Sequence, residues 1–458
     1  MKILIIGAGR VGSSVAENLV SEQNDITVVD TNPDRLTYLQ ERFDLRCVLG
    51  DGSLPDVLEE AGADDTDLLV ACAATDASNL VACTIARDTF NIPRRIVRVR
   101  GQSYSENEAL LAESFGVDFV ISPEKSVTQY LYSLIEFPEA LQVVEFAQGR
   151  VSVVILKVGR KSSLIGHHID ETHLNLPNLN TRILEVMRGE VSIPMNRVGA
   201  IQADDELVLA IDTRQARESI ASFHKEKKRI RSIMIAGGGN IGYRLAKELA
   251  QDNYNVRIIE SNKARCQWLA SMLPENVLVL HGNGTDESLL ESENIAEMDT
   301  WLALTNDDED NIMSSLLAKR LGARKVIALI SRQAYGELMQ GSMIDIAVSP
   351  AQATIGALLR DVRQGAVVAG HRLRRGAAEV IEFEVLGDIN SSKLADRSVK
   401  DIQFPKSSTL AVIFREGYLI MPEPDTVIRQ GDHVIVYAAN RETMKKVEKM
   451  FQVSAMFF

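Results

Sequence analysis

Two short glycine-rich stretches hold the residue types best suited to a charged ligand. Gly7-Ala8-Gly9-Arg10-Val11-Gly12 and Gly237-Gly238-Gly239-Asn240-Ile241-Gly242 each follow an apolar run and open an amphipathic one. In each case an acid, Asp30 or Glu260, ends the next apolar run 18 residues past the last glycine. A strand, a glycine turn, a helix and a distant acid together make the dinucleotide fingerprint. The first glycine permits the tight turn, the second lets backbone approach a pyrophosphate, and the third lets helix and strand pack. Free N–H groups at the helix start face the phosphates. Asp30 and Glu260 would accept hydrogen bonds from an adenosine ribose and repel a 2′-phosphate. NAD, ATP and ADP therefore fit, and NADP is disfavoured.

Further candidates lie beyond the carboxyl ends of the following strands, where an open parallel sheet binds its ligand. Asp51 in "GDGS" and Asn283 in "GNGT" follow the third strand of each copy. Ala73 and Ala74, with Thr305 and Asn306, follow the fourth. Asp51, Asp76 and Asn79 serve equally well as turn formers and helix caps. Charge separates the two copies. The first has Arg10 in its loop and Arg98 and Arg100 at period two in "IVRVR", whereas the second has Asn240 and the apolar "VIALIS". The first site can neutralise more phosphate, so the two sites should differ in nucleotide preference or affinity.

The residues expected of a catalyst are sparse. Of seven histidines only His281 falls in a crevice loop, and Leu49 stands at its place in the first copy. Packing or turn polarity accounts for it better than proton transfer. "HHIDETH" at 167–173 has no spacing of a closed metal site and reads as a solvated loop. Cys47, Cys72, Cys83 and Cys266 lack CxxC spacing and read as core thiols in a reducing compartment. No metal site is expected, and no catalytic residue is assigned.

The elements that position these loops are written twice. "MKILIIGAGRVGSSVAENLV" lines up with "RSIMIAGGGNIGYRLAKELA", and "ITVVD" with "VRIIE", at a shift of 230 positions. Two inserted residues later, "TDLLVACAATDASN" lines up with "DTWLALTNDDEDN". A fainter match joins the segments from Thr181 and Thr409, with Arg188-Gly189 falling on Glu416-Gly417. In the first copy, strands are expected at 2–6, 26–30, 46–49, 67–72, 95–99 and 117–121, alternating with helices. The reading is α/β: two Rossmann-like, doubly wound parallel-sheet domains (1–140 and 230–365), each followed by a small α+β domain (141–225 and 370–458). Helices starting at Ser122-Pro123 and Ser349-Pro350 would suit crossing to a partner. "HKEKKRIR" at 224–231 reads as a helix end and linker, and the final "SAMFF" as a contact segment or a frayed end.

Composition sets the outer limits. The 458 residues are 45% hydrophobic and 25% charged, as in ordinary globular chains, and the formal charge of −13 argues against a nucleic-acid partner. The start lacks a signal peptide's basic flank, and no stretch approaches the roughly 20 apolar residues of a membrane span. A cytoplasmic chain is expected.

"MKILIIGAGRVG", "LGDGS", "VACAATDASN", "RRIVRVR" and the duplicated Ser-Pro helices, across essentially the whole chain, resemble the RCK (KTN) family, which includes regulatory subunits of bacterial potassium uptake systems. The resemblance implies that each Rossmann-like domain binds NAD(H) or ATP/ADP and that each small domain is an RCK C-terminal domain. It implies a homo-oligomer, a tetrameric ring, on the inner face of the bacterial inner membrane. The partner would be an integral potassium-translocating subunit of the TrkH type. By position, Gly7 to Val11, Asp30, Ala73, Ala74 and Arg98 would form the first site. Gly237 to Ile241, Glu260, Thr305 and Asn306 would form the second. Two other readings stand beside it: a tandem NAD-dependent oxidoreductase, and a scaffold whose nucleotide sites have decayed.

Overall fold

The computed structural model describes residues 1–20, 24–168, 181–189, 191–193, 197–222, 230–339, 342–351, 353, 366–373 and 378–453. The apolar run Lys2–Ile6 becomes β1, inside a parallel sheet with β2 (Asp25–Asp30), β3 (Arg46–Leu49), β4 (Leu68–Ala71), β5 (Arg94–Arg98) and β6 (Phe119–Ile121). Their order is β3-β2-β1-β4-β5-β6. Leu4 and Ile5 are wholly buried although they point to opposite faces, which is why this strand reads as a continuous apolar run. The order reverses between β1 and β4, opening a crevice at their carboxyl ends.

An antiparallel sheet follows, built from β7 (Ala140–Phe146), β8 (Val151–Lys157), β9 (Thr181–Arg188), β10 (Val191–Ile193) and β11 (Glu206–Asp212) in the order β10-β9-β11-β8-β7. The pattern then repeats. A second parallel sheet contains β12 (Ser232–Ala236), β13 (Asn255–Glu260), β14 (Val277–His281), β15 (Thr300–Ala303), β16 (Lys325–Leu329) and β17 (Ile346–Val348), in the order β14-β13-β12-β15-β16-β17. The second antiparallel sheet joins β18 (Val367–Arg372), β19 (Glu379–Glu384), β21 (Ser408–Arg415), β22 (Tyr418–Ile420) and β24 (His433–Ala438). β20 (Arg397–Ser398) and β23 (Val427–Ile428) form a separate ribbon.

One alignment made from sequence is off by a residue. Arg188 matches Arg415, not Glu416: Arg188 forks onto Asp205 at 2.8 and 2.9 Å, and Arg415 onto Asp432 at 2.7 and 2.7 Å. Each carboxylate is almost fully buried and also accepts a backbone N–H, from Gln202 or Arg429. A buried carboxylate needs its guanidinium, and this need, invisible to letter matching, fixes the register.

The helix Pro123–Glu136 does cross, but onto the other half of its own chain. Its apolar face, Val127, Leu131, Leu134 and Ile135, is buried in one cluster with Ile233, Leu245, Leu249 and Ile258 of the second parallel-sheet domain. Each such side chain contributes about 2 kcal/mol. The Tyr132 hydroxyl donates to Asp252. At the helix end, the Lys325 Nζ of β16 donates to the carbonyls of Leu134, Pro138 and Ala140 at 3.3, 2.9 and 3.2 Å. From the other side, Ala351, just after Ser349-Pro350, packs against the core of the first domain. Apart from Ala353, the rest of that helix lies outside the described residues, as do most of "HKEKKRIR", His173 and the final "SAMFF".

The small domains also join. Val153, Ile155, Val208 and Ala210 of the first form one buried cluster with Val380, Val412, Ile435 and Tyr437 of the second. The near-continuous apolar runs of β8 and β24 thus cover a hydrophobic core on one face and a neighbouring domain on the other. Two halves of one chain make an internal pseudo-dimer.

Candidate functional site

The glycines divide by what surrounds them. Gly7 and Gly237 have φ of +97° and +105°, and a Cβ on either would meet the backbone just past β4 or β15 within 3.0 Å. A Cβ on Gly12 or Gly242 would lie 1.8 or 2.1 Å from the carbonyl of Gly7 or Gly237. The fold itself needs those four. Around Gly9 and Gly239 a Cβ would meet nothing within 4 Å. Their lack of a side chain serves no internal packing and leaves the loop open to an incoming group.

The acids brace the loops. Asp30 accepts from Ala8 N at 2.6 Å and from Asn32 N at 2.8 Å; Glu260 accepts from Gly238 N at 2.9 Å and from Asn262 N at 2.8 Å. Two unforeseen arginines sit beside them. Arg35 Nη1 is 3.8 Å from Asp30, and Arg265 Nε donates to the Gly238 carbonyl at 2.8 Å. They occupy the same position in the two repeats, five residues past the acid, which is a signal the sequence offered.

After β4 and β15, Asn79 and Asn311 are buried and serve structure. Each side chain accepts from the backbone N–H of Ala73 or Thr305 and donates to the carbonyl of Arg98 or Leu329. Asp76 likewise accepts from Arg100 N and Gly101 N. Asp51 holds Ser53 through its N–H and hydroxyl, bonds that lower its pKa, and Asn283 does the same for Thr285. His281 Nε2 lies 3.0 Å from the Ser261 carbonyl. Burial pushes the thiols of Cys72 and Cys83 up to about 12. Among the described residues no group of three His, Cys, Asp or Glu is placed to hold a metal ion.

A cleft of about 1870 Å³ runs between the two parallel-sheet domains. Gly7, Ala8, Gly9, Arg10, Val11, Asp30, Asp51, Ala73, Ala74, Arg98 and Arg100 line it from the first domain, and Asn240, Ile241, Thr305 and Asn306 from the second. Gly237, Gly238, Gly239, Glu260 and Asn283 are not on its wall. That one cleft gathers residues of both fingerprints is not readable from either fingerprint alone. Arg10 reaches across it, with Nη1 3.4 Å from Ser331 Oγ. Arg98 is already paired: its Nη2 is 3.2 Å from Glu124 Oε1, in the first turn of the crossover helix. Arg98 Nε and Glu124 Oε2 are buried without a hydrogen-bond partner. In the second repeat Leu329 and Ala351 stand at these two places.

Two nucleotide-type folds, each with a small antiparallel domain, arranged as an internal pair, define a tandem RCK assembly. The crystal structure of the GsuK RCK domain has the same fold, with a TM-score of 0.61 at 19% identity over 98% of this chain and 94% of that one. The GsuK channel bound to NAD gives 0.60 at 18% identity, over 98% of this chain and 78% of that one. The TrkA-N domain model matches residues 3–123 and 233–350, and the TrkA-C domain model matches 388–452. The Trk system potassium uptake protein TrkA of Vibrio alginolyticus is 46% identical, and those of Halomonas elongata and Haemophilus influenzae are 44% and 41% identical, each over the full length of both chains. The chain belongs to the TrkA family of Trk-system potassium uptake proteins. No helix among the described residues is long and apolar enough to cross a membrane.

Proposed function

We propose that this chain is a nucleotide-sensing regulatory subunit. It binds NAD(H) and adenine nucleotides at its glycine loops and gates potassium uptake through a membrane-embedded partner of the TrkH type. It acts as a homo-oligomeric ring on the cytoplasmic side of the membrane and catalyses no reaction. The observation that carries this reading is the Arg98–Glu124 pair, which ties the first site to the helix packed on the second domain.

A ligand shifts a conformational equilibrium only by binding two states unequally. A pyrophosphate at the first loop brings negative charge to Arg98 and competes there with Glu124. Releasing Glu124 frees the first turn of the crossover helix, whose apolar face holds the two domains in register. Arg10, which spans the cleft to Ser331, adds a contact that exists only when the halves are close. Nucleotides differing in charge, such as ATP and ADP, then favour different separations of the domains. The small domains, packed on each other and joined to the crossover helices, carry that difference outward.

The test is calorimetric titration of the full chain with NADH, NAD, ATP and ADP, repeated on Gly9→Ala and Gly239→Ala. Binding lost separately in the two variants, followed by nucleotide-dependent potassium flux in vesicles holding the partner, supports the reading. Consumption of NADH absorbance with a substrate would favour the oxidoreductase alternative, and absence of binding would leave the scaffold.

A further inference from the structure

The helix Pro33–Gln40 with the turn after it, and the helix Lys263–Met272, follow the two acids and place matching residues differently. Arg35 corresponds to Arg265, Tyr38 to Trp268 and Arg42 to Met272. Both aromatic side chains are partly exposed, and each carries a guanidinium on its ring, but the arginine is not the same one. In the first repeat Arg42 takes that place, with Cζ 4.2 Å from the Tyr38 ring centroid. Arg35 stays at the mouth of the cleft, 55% exposed and beside Asp30, and Asp30, Arg35, Tyr38 and Arg42 all line the cleft. In the second repeat Met272 brings no guanidinium to the ring. Arg265 takes its place 4.0 Å from the Trp268 centroid, while its Nε is committed to the Gly238 carbonyl. Tyr243 braces Trp268 from 4.9 Å.

We propose that Arg35 reads the adenosine end of a nucleotide in the first site and is kept available by Arg42, whereas Arg265 is held on Trp268 across the second loop. This rests on the reading that both loops bind adenine nucleotides. The planar guanidinium of Arg35 stacks on adenine or neutralises Asp30 beside the ribose. A nucleotide entering the second site must first break the contacts of Arg265. The sites are therefore unequal at the adenosine end, independently of Arg10 and Arg98 at the phosphate end.

Calorimetry of the full chain with ADP tests this, with Gly239→Ala isolating the first site and Gly9→Ala the second. Arg42→Met is expected to weaken the first site about two- to five-fold, the size of an exposed cation–π contact, because Arg35 then swings onto Tyr38. Met272→Arg is expected to strengthen the second site by a similar factor. Arg35→Ala weakens the first site and makes Arg42→Met silent. The ratio of AMP to ADP affinity stays constant throughout, since the change lies away from the phosphates. Two sites that bind ADP but ignore Arg42→Met and Met272→Arg would overturn the proposal and leave the function standing. An unmutated chain that binds neither ADP nor NADH would overturn both.

Discussion

Glu124 and Arg98 meet at 3.2 Å where the first crossover helix leaves the cleft, with side chains only 15% and 13% exposed. The second repeat has Leu329 and Ala351 there, so both partners are replaced together by apolar residues. A charged pair in a shielded place tolerates joint replacement far better than loss of one member. Arg98→Leu alone should lower stability by about 3 kcal/mol, and Arg98→Leu with Glu124→Ala should recover most of it. Thermal melts of the single and double variants decide this. Glu124→Gln should tighten first-site nucleotide binding by removing the competing anion, and a weaker site would count against the switch.

The glycines give a separable pair of outcomes. Gly9→Ala places its methyl in open space and should leave the melting temperature unchanged while abolishing first-site binding. Gly12→Ala drives a methyl to 1.8 Å from a carbonyl and should cost about 3 kcal/mol or more. Circular dichroism melts beside titrations would show whether the two effects separate.

Lys325 should leave a mark on alkaline stability. Desolvation pushes it from 10.5 down to about 8, against the opposing pull of Asp345 and Glu139. Between about pH 8 and 10.5 the unfolded chain holds a proton that the folded chain has released, so this group's contribution to stability rises with pH across that window. The melting-temperature difference between the wild type and Lys325→Met should therefore grow in favour of the wild type from pH 8 to 10. A constant difference would mean that the three carbonyls keep Lys325 protonated.

Much of the architecture was legible because it is local. Glycine loops, apolar runs and Ser-Pro helix starts each obey short-range rules, and the six strands expected of the first sheet are present within a residue or two. What escaped was pairing between distant parts. Glu124 looks like an ordinary first-turn acid until β5 brings Arg98 beside it, and Arg35 looks like a surface arginine until Arg42 takes the ring it would otherwise cover. The small-domain register slipped because Arg415-Glu416 offers two charged letters for one buried role, and only Asp432 chooses between them. The joining of the small domains was hinted at by β8 and β24, whose near-continuous apolar runs require cover on both faces.

The crossover helix has a further consequence, because it joins two parts of one polypeptide. A cleft formed by separate subunits disappears on dilution, whereas covalent linkage holds these halves at an effective concentration on the order of millimolar. The chain can be scarce and still carry a complete cleft. The one cleft is lined by a pair of each kind, Arg98 with Glu124 from the first half and Leu329 with Ala351 from the second, so no population of mismatched pairs can form. Mutation can then tune one wall while the other remains as it was.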